Sequence, residues 1–222
     1  MRYSVKFFGL KGKKIMEEFN KLLRIADRLL GPGGCPWDLE QTFFTLQPYL
    51  LEEVHELIEA IDLQDPAKIS EELGDVLYTL IFIAKLGEKG GSFTLADSIR
   101  QMGEKLIRRH PHVFGEQKIS SADEVLTRWE EIKKAEGKKS PIANIPPTLP
   151  SLARAQKVIH KLRRAKSTVL KGKISEGIGQ RLWDLVAEAE AEGIDAESAL
   201  RRVSLAYEEK SRRGSRGIRQ IP

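Results

Sequence analysis

The sequence predicts an all-α protein, a four-helix-bundle-like core followed by a smaller helical domain. Apolar residues recur every three to four positions through most of the 222 residues, alternation at period two is nearly absent, and glycine and proline clusters cut the pattern into helix-length pieces. The elements follow in order.

The first helix is expected from about Lys13 to Leu30, with Ile15, Phe19, Leu22, Leu23, Ala26 and Leu29 on one stripe, and Gly31, Pro32, Gly33 and Gly34 stop it. A segment, CPWDLEQTFFTLQPY, leads to a second helix over roughly 48 to 62, and Asp65-Pro66 marks the turn into a third over roughly 67 to 88. Leu50, Leu51, Val54, Leu57, Ile58 and Ile61 are expected to pack one of these two, and Leu73, Val76, Leu77, Leu80, Ile81 and Ile83 the other. Gly87, Gly90 and Gly91 end the third helix, Thr94 to about Arg109 makes a fourth, and Ser121 or Asp123 caps a fifth that carries Trp129 and ends near Gly137. The proline-rich stretch 138–150 reads as a linker, and further helices are expected near 149 to 165, 175 to 192 and 196 to 212. The domain division is then 10–137, a linker 138–150, a second helical domain 151–213 and a basic tail 214–222.

Composition narrows the function classes. No apolar stretch approaches the roughly 20 residues that span a bilayer, and the first residues, MRYSVKFFGLKGKK, lack a secretory h-region, so a cytoplasmic protein without a membrane role is expected. The single cysteine, Cys35, excludes an intrachain disulfide and has no flanking histidine to make it a nucleophile. The net charge of +5 is uneven, about −2 over residues 1–140 and +7 over 141–222. Basic clusters such as KLRRAK and the tail could attract nucleic acid, but no aromatic-interleaved stripe accompanies them, and solvated helix faces are the preferred explanation.

The acidic residues carry the most information. Glu52, Glu53 and Glu56 lie in LLEEVHELIEAI, and Glu72 and Asp75 in ISEELGDVLYTLIFIA. Residues three or four apart share a helix face, so Glu53 with Glu56 and Glu72 with Asp75 each point a pair of carboxylates one way. Most acid-rich helices merely show a solvated face. Here the flanking apolar stripes bring the acids close to a core, where unpaired carboxylates repel unless a cation or proton compensates them. Gly74, an interior glycine that costs about 1 kcal/mol relative to Ala, is expected to have a packing or close-approach reason. The pattern points to a divalent-cation site. Lys68 precedes Glu72 by one turn and can share its face, and Lys105 and Arg109 are likewise four apart.

EExxE followed by ExxD, together with GGCPWDLEQT (33–42), EELGDVLY (71–78), GSFTLADSI (91–99), EKLIRRHPHVFGE (104–116), VLTRWEEIKKAE (125–136) and IPPTLPSLARAQK (145–157), resembles the MazG-type nucleoside triphosphate pyrophosphohydrolases. The resemblance implies a Mg²⁺-dependent hydrolysis (with Mn²⁺ a possible substitute) of a nucleoside triphosphate to the monophosphate and pyrophosphate, serving nucleotide-pool cleansing or regulation. By position it implies Glu53, Glu56, Glu72 and Asp75 as metal ligands, with Glu52 as an outer carboxylate or a base orienting water beside Glu53. It also implies Lys105 and Arg109 as phosphate contacts, Trp129 near the nucleotide, and Trp37, Asp38 and Gln41 as base-binding or pocket-shaping residues. Where the family tends to have QTH, this chain has Gln41, Thr42 and Phe43. That leaves the metal site intact and changes what could read the base.

Longer relatives carry a second copy of the domain, and residues 177–213 resemble the later half of it. Gly177 and Gln180 then stand where a glutamate and an aspartate ligand would, Ala206 and Lys210 stand at the positions matching Lys105 and Arg109, and no EExxE helix precedes them. A degenerate domain is implied, whose apolar residues Leu182, Leu185, Val186, Leu200, Val203 and Leu205 remain for packing. The family forms dimers, so a homodimer is expected. His110 and His112 flank a proline without the spacing of a zinc helix and are expected to end the fourth helix and shape a pocket edge. There is no Walker loop and no Nudix box. The alternative to the enzyme is a non-catalytic helical binding protein whose acids are structural.

Overall fold

The computed structural model describes residues 10–115, 120–136, 142, 145–167, 169 and 172–216. The end of the basic tail, most of the first half of the linker and the fifth helix's expected stop at Gly137 lie outside the described residues. Ten α-helices and no strand occur among the described residues, so the protein is all-α. By contacts it divides into two compact units, 1–118 and 119–222.

The first unit contains α1 (Leu10–Leu30), the short α2 (Pro36–Leu39), α3 (Phe43–Asp62), α4 (Pro66–Lys89), α5 (Leu95–Arg109) and the short α6 (Pro111–Phe114). The helix α3 starts five residues earlier than its periodicity predicts, because Thr42 and Thr45 form a capping box: Thr45 N donates to the Thr42 hydroxyl at 3.2 Å, and Thr42 N donates to the Thr45 hydroxyl at 2.8 Å. Pro48 lies past the first turn of α3, where its missing N–H leaves the helix one hydrogen bond short.

The turn from α3 to α4 is three residues long. Asp65 N donates to Ala60 O at 3.2 Å and Gln64 N to Ile61 O at 3.0 Å, with Gln64 at φ 54°. That is a Schellman ending, with glutamine in the left-handed position that glycine usually takes. Asp65 then caps α4 by accepting from Ala67 N and Lys68 N at 3.0 and 3.3 Å, with Pro66 at the first helical position. The helices α3 and α4 consequently run antiparallel, the best-packed pair in the unit, around Leu46, Ala60, Ile81, Phe82 and Ala84.

Two features tie the other helices to α4. The Lys85 ammonium bonds Asp27 of α1 at 2.8 Å and Glu88 at 2.9 Å, and Glu88 also accepts from Leu95 N at the start of α5. At the other contact, Phe93 covers Gly87 so closely that a Cβ there would lie 2.6 Å from the ring. The ring of Phe93 in turn stacks on Phe43, centroids 6.2 Å apart.

Several residues expected to pack are exposed in the single chain. Ile15, Leu51, Ile61, Leu73, Leu77 and Leu80 all lie on surface, because α3 and α4 are apolar around more of their circumference than the helices of this unit cover. Gly74 is a second correction: it is exposed, and a Cβ there would meet nothing within 4 Å, so no close approach explains it.

The second unit contains α7 (Ala122–Ala135), α8 (Ser151–Arg164), α9 (Ile178–Ala191) and α10 (Ala196–Arg216). Ser121 caps α7 by accepting from Glu124 N at 3.2 Å. Ile159, Val186 and Ala196 form the core, packed by Leu152, Ala155 and Trp183. Gln156 holds three elements at once, donating to Ile194 O at 2.7 Å and Glu190 at 3.1 Å and accepting from Ala196 N at 2.9 Å. Of the residues expected to pack here, Val186 is buried, whereas Leu182, Leu185, Leu200, Val203 and Leu205 are exposed.

The two helical glycines give opposite expectations. Gly74→Ala should raise stability by about 0.8–1 kcal/mol, the helix-propensity difference alone. Gly87→Ala should lower it by about 1–3 kcal/mol, because Phe93 must move. Urea denaturation of both variants checks the pair, and equal effects would contradict the packing described for Gly87.

Candidate functional site

The geometry of the α3–α4 hairpin decides which acids meet. Glu56 and Glu72 are each eight residues from Gln64, and Glu53 and Asp75 each eleven. In an antiparallel pair with so short a turn, residues equally far from it lie side by side. Carboxylate oxygens of Glu53, Glu56 and Glu72 accordingly lie within 4.8 Å of one another, the one cluster of three potential metal-ligating side chains among the described residues. Glu53 and Glu72 are half-buried, while Glu56 and Asp75 are exposed.

The electrostatics are those of crowded anions. Burial raises the Glu53 carboxyl above its usual range, and the charges of Asp75, Glu56, Glu72 and, least, Glu52 raise it further. Burial likewise raises Glu72, followed by the charges of Glu56, Glu71 and Asp75 and a hydrogen bond with Glu56. Asp75 thus acts on both helices, though it lies outside the 4.8 Å cluster. Glu71 adds to the repulsion, and helix spacing alone gave no reason to include it. Hard oxygen donors converging from two helices, with carboxyls raised by burial and by one another's charge, suit a divalent cation.

The other expected residues are placed as follows. Glu52 is exposed beside Glu53. Lys68 is exposed in the first turn of α4, one turn before Glu72. Lys105 and Arg109 are half-buried on α5, which packs against α4. Trp129 is half-buried on α7, in the other unit. Trp37 on α2 is half exposed and meets Tyr49 edge to face, centroids 5.4 Å apart. Gln41 is committed locally: its amide donates to Trp37 O at 2.9 Å, and its carbonyl accepts from the Thr45 hydroxyl at 2.7 Å. It fastens α2 to the start of α3. The His110 ring bonds Leu106 O at 2.6 Å where α5 ends, and lies 5.6 Å from the His112 ring.

Comparison with known proteins agrees with this geometry. The family model described as the MazG nucleotide pyrophosphohydrolase domain matches residues 41–114, the segment that contains all five acids. The Thermotoga maritima protein named nucleoside triphosphate pyrophosphohydrolase/pyrophosphatase MazG is 37% identical over 216 residues, covering 86% of this chain and 83% of its own. The chain belongs to the MazG family. The nucleoside triphosphate pyrophosphohydrolase of Escherichia coli K12 is another MazG relative, 35% identical over 230 residues, covering 89% of this chain and 87% of its own. An uncharacterized Bacillus subtilis protein, YabN, is 45% identical over 149 residues, and there this MazG chain spans only 30% of the relative's length.

The raised carboxyls fix a pH dependence. Their folded-state pKa values exceed those of the unfolded chain, so between the two the native state binds more protons. The cluster's contribution to stability is therefore present below the usual glutamate pKa of about 4.3 and is lost as pH rises through the folded values. Metal-free protein should gain melting temperature on acidification through that window, Mg²⁺ should flatten the trend near neutral pH, and Glu53→Gln should raise the metal-free melting temperature while weakening the Mg²⁺ response. Differential scanning calorimetry with EDTA and with Mg²⁺ checks all three, and a Glu53→Gln protein less stable without metal would contradict the repulsion.

Proposed function

We propose that this MazG protein hydrolyses nucleoside triphosphates to nucleoside monophosphate and pyrophosphate with Mg²⁺, or Mn²⁺ in its place. The observation that carries the reading is the convergence of Glu53, Glu56 and Glu72 from two helices into one carboxylate cluster within 4.8 Å, and the names of the Thermotoga maritima and Escherichia coli relatives support the reaction.

Glu53, Glu56, Glu72 and Asp75 hold the cation. A divalent ion there would supply neutralisation of phosphate charge and Lewis acidity toward water. Carboxylates must be deprotonated to hold a cation, so with Glu53 and Glu72 raised above the usual carboxylate range the binding would weaken as pH falls. Glu52, exposed beside Glu53, orients the attacking water or takes its proton. Lys68, Lys105 and Arg109 offset the charge of the phosphate chain, and Trp37 borders the nucleotide; for Trp129 such a role rests on the family resemblance alone. Gln41, with both ends of its amide engaged, acts by fixing the position of Trp37.

The second helical domain is read as a degenerate copy, without a cation site of its own. At Gly177 the backbone adopts φ 95°, where any side chain is strained, and Gln180 is buried with its carbonyl accepting from Ile174 N and Ser175 N and its amide donating to Asp184 at 2.8 Å. The domain boundaries at 137/138 and 150/151 belong to the same reading. Homodimerisation is supported by the exposed Ile15, Leu73, Leu77 and Leu80, and by an open apolar hollow of about 540 Å³ lined by Ile15, Phe19, Leu22 and Leu77. No described helix is long and apolar enough to cross a membrane, which suits work on a cytoplasmic nucleotide pool.

Pyrophosphate and monophosphate release should be measured over the common ribo- and deoxyribonucleoside triphosphates. Activity should require Mg²⁺ or Mn²⁺ and fall by about 100-fold or more in Glu53→Ala and Asp75→Ala, and by about 10–100-fold in Glu52→Gln. Unchanged release in the first two variants would sink the metal assignment, and no release from any nucleotide would leave a binding protein. Analytical ultracentrifugation should give a dimer that Leu77→Glu weakens.

A further inference from the structure

The second unit carries a concave site that the proposed reaction does not use. Where α8 and α9 pack together, each helix presents a pair of residues one turn apart, Val158 and Leu162 on α8 and Gly179 and Trp183 on α9. With Gln180, and with Ile174 from the loop between the helices, they line a hollow of about 430 Å³, inside the roughly 300–1,000 Å³ range of small-molecule sites. Gly179 opens it. The backbone there is ordinary helix, and a Cβ would meet nothing within 4 Å, so the space that a side chain would take at this position is left empty.

The lining offers one unused buried donor. Gln180 is only 9% exposed. Its carbonyl accepts from Ile174 N and Ser175 N at 3.3 and 3.4 Å, and one amide hydrogen goes to the Asp184 carboxylate at 2.8 Å. A glutamine amide has two N–H donors, and the second has no partner among the described residues. A buried donor left unpaired is costly, and water or a ligand normally takes it.

Charge and shape narrow what can take it. No lysine, arginine, aspartate or glutamate lines the hollow among the described residues, and the Asp184 carboxylate stands behind the amide, so an anion such as a phosphate ester is disfavoured. The walls are aliphatic side chains and the Trp183 indole, against which a flat ring packs. Ile174, 84% exposed, stands at the mouth. An apolar protein segment would cover Ile174 and leave the Gln180 donor unpaired, whereas the edge of a heteroaromatic ring satisfies it.

We infer that this hollow binds an uncharged, planar heteroaromatic molecule, whose ring packs against Trp183 over Gly179 and whose edge acceptor takes the free Gln180 N–H. Every lining residue belongs to the second unit, and the inference does not depend on the triphosphate reading. It gives that unit a ligand of its own, where the degenerate reading gives it packing alone.

Quinoline, naphthalene and quinoline-6-carboxylate are the probes, one two-ring shape with a ring-nitrogen acceptor, without it, and with an added negative charge. Binding to the full chain near neutral pH is followed through the Trp183 indole N–H resonance, identified among the three tryptophans by its loss in Trp183→Phe. Quinoline should bind, with naphthalene and the carboxylate at least about tenfold weaker. Gly179→Leu, which fills the space, should weaken quinoline binding at least about tenfold without lowering the melting temperature, because leucine is the better helix former. Ile174→Asp, at the exposed mouth, should weaken it as well and decides the matter if Gly179→Leu fails to fold. The inference is overturned by a resonance that quinoline leaves unmoved, by equal affinity for naphthalene, or by full quinoline binding in both variants. Sedimentation that shows Gly179→Leu separating a dimer, with no quinoline bound by wild type, assigns the hollow to a second copy and overturns it too.

Discussion

The candidate site depends on one constraint, the three-residue turn that joins α3 to α4. Its Schellman bonds at Ala60 and Ile61 and the Asp65 cap leave no slack, so each residue of α3 has a fixed partner across the hairpin. Eight residues from Gln64, at about 1.5 Å per residue, Glu56 and Glu72 meet roughly 12 Å from the turn. The buried Ala60, Ile81 and Ala84 hold the helices close, which keeps the carboxylates near one another. Packing thus enforces a repulsion that the chain by itself leaves unrelieved. Relief of that repulsion by a divalent cation is what the proposed chemistry would use.

Much of this was legible in the sequence, because it follows from local rules. Helix spacing paired Glu53 with Glu56 and Glu72 with Asp75, and the Asp-Pro signal located the turn. The structure adds the symmetry about Gln64, which places one pair against the other. Features that escaped a reading by periodicity are short or tertiary. Four-residue helices such as Pro36–Leu39 and Pro111–Phe114 are too brief to show a period. The capping box at Thr42 and Thr45 lacks the usual Glu or Gln and begins α3 ahead of its apolar pattern. Gly74 and Gly87 look alike in sequence, and only the position of the Phe93 ring separates an idle glycine from a required one.

The exposed leucines of α4 were read as core because periodicity reports amphipathicity, never the identity of what covers the apolar face. The same holds in the second unit, where Leu185 and Leu200 match the helical pattern as well as the buried Val186 does. What holds that unit together is partly polar: Gln156 links α8 to α10 and to the α9–α10 turn, and the His160 ring bonds Glu190 at 2.6 Å. Gln180 contributes in the same way, its buried side chain accepting from the backbone N–H groups of Ile174 and Ser175.

Base selection is the point at which geometry most changes the reading of the sequence. Phe43 stands where the family tends to have histidine, a change expected to alter what could read the base. Its ring is stacked on Phe93 over Gly87, and it lies ten residues before Glu53 on α3, about 15 Å along the helix axis. A nucleoside whose phosphates sit at Glu53 and Glu72 would have to stretch across that distance to reach a ring already engaged in packing. Tyr78, by contrast, lies one turn beyond Asp75 on α4. The loss of a polar side chain at position 43 is then a change in how α4 meets its neighbours, and it leaves the acidic face of α3 and α4 untouched.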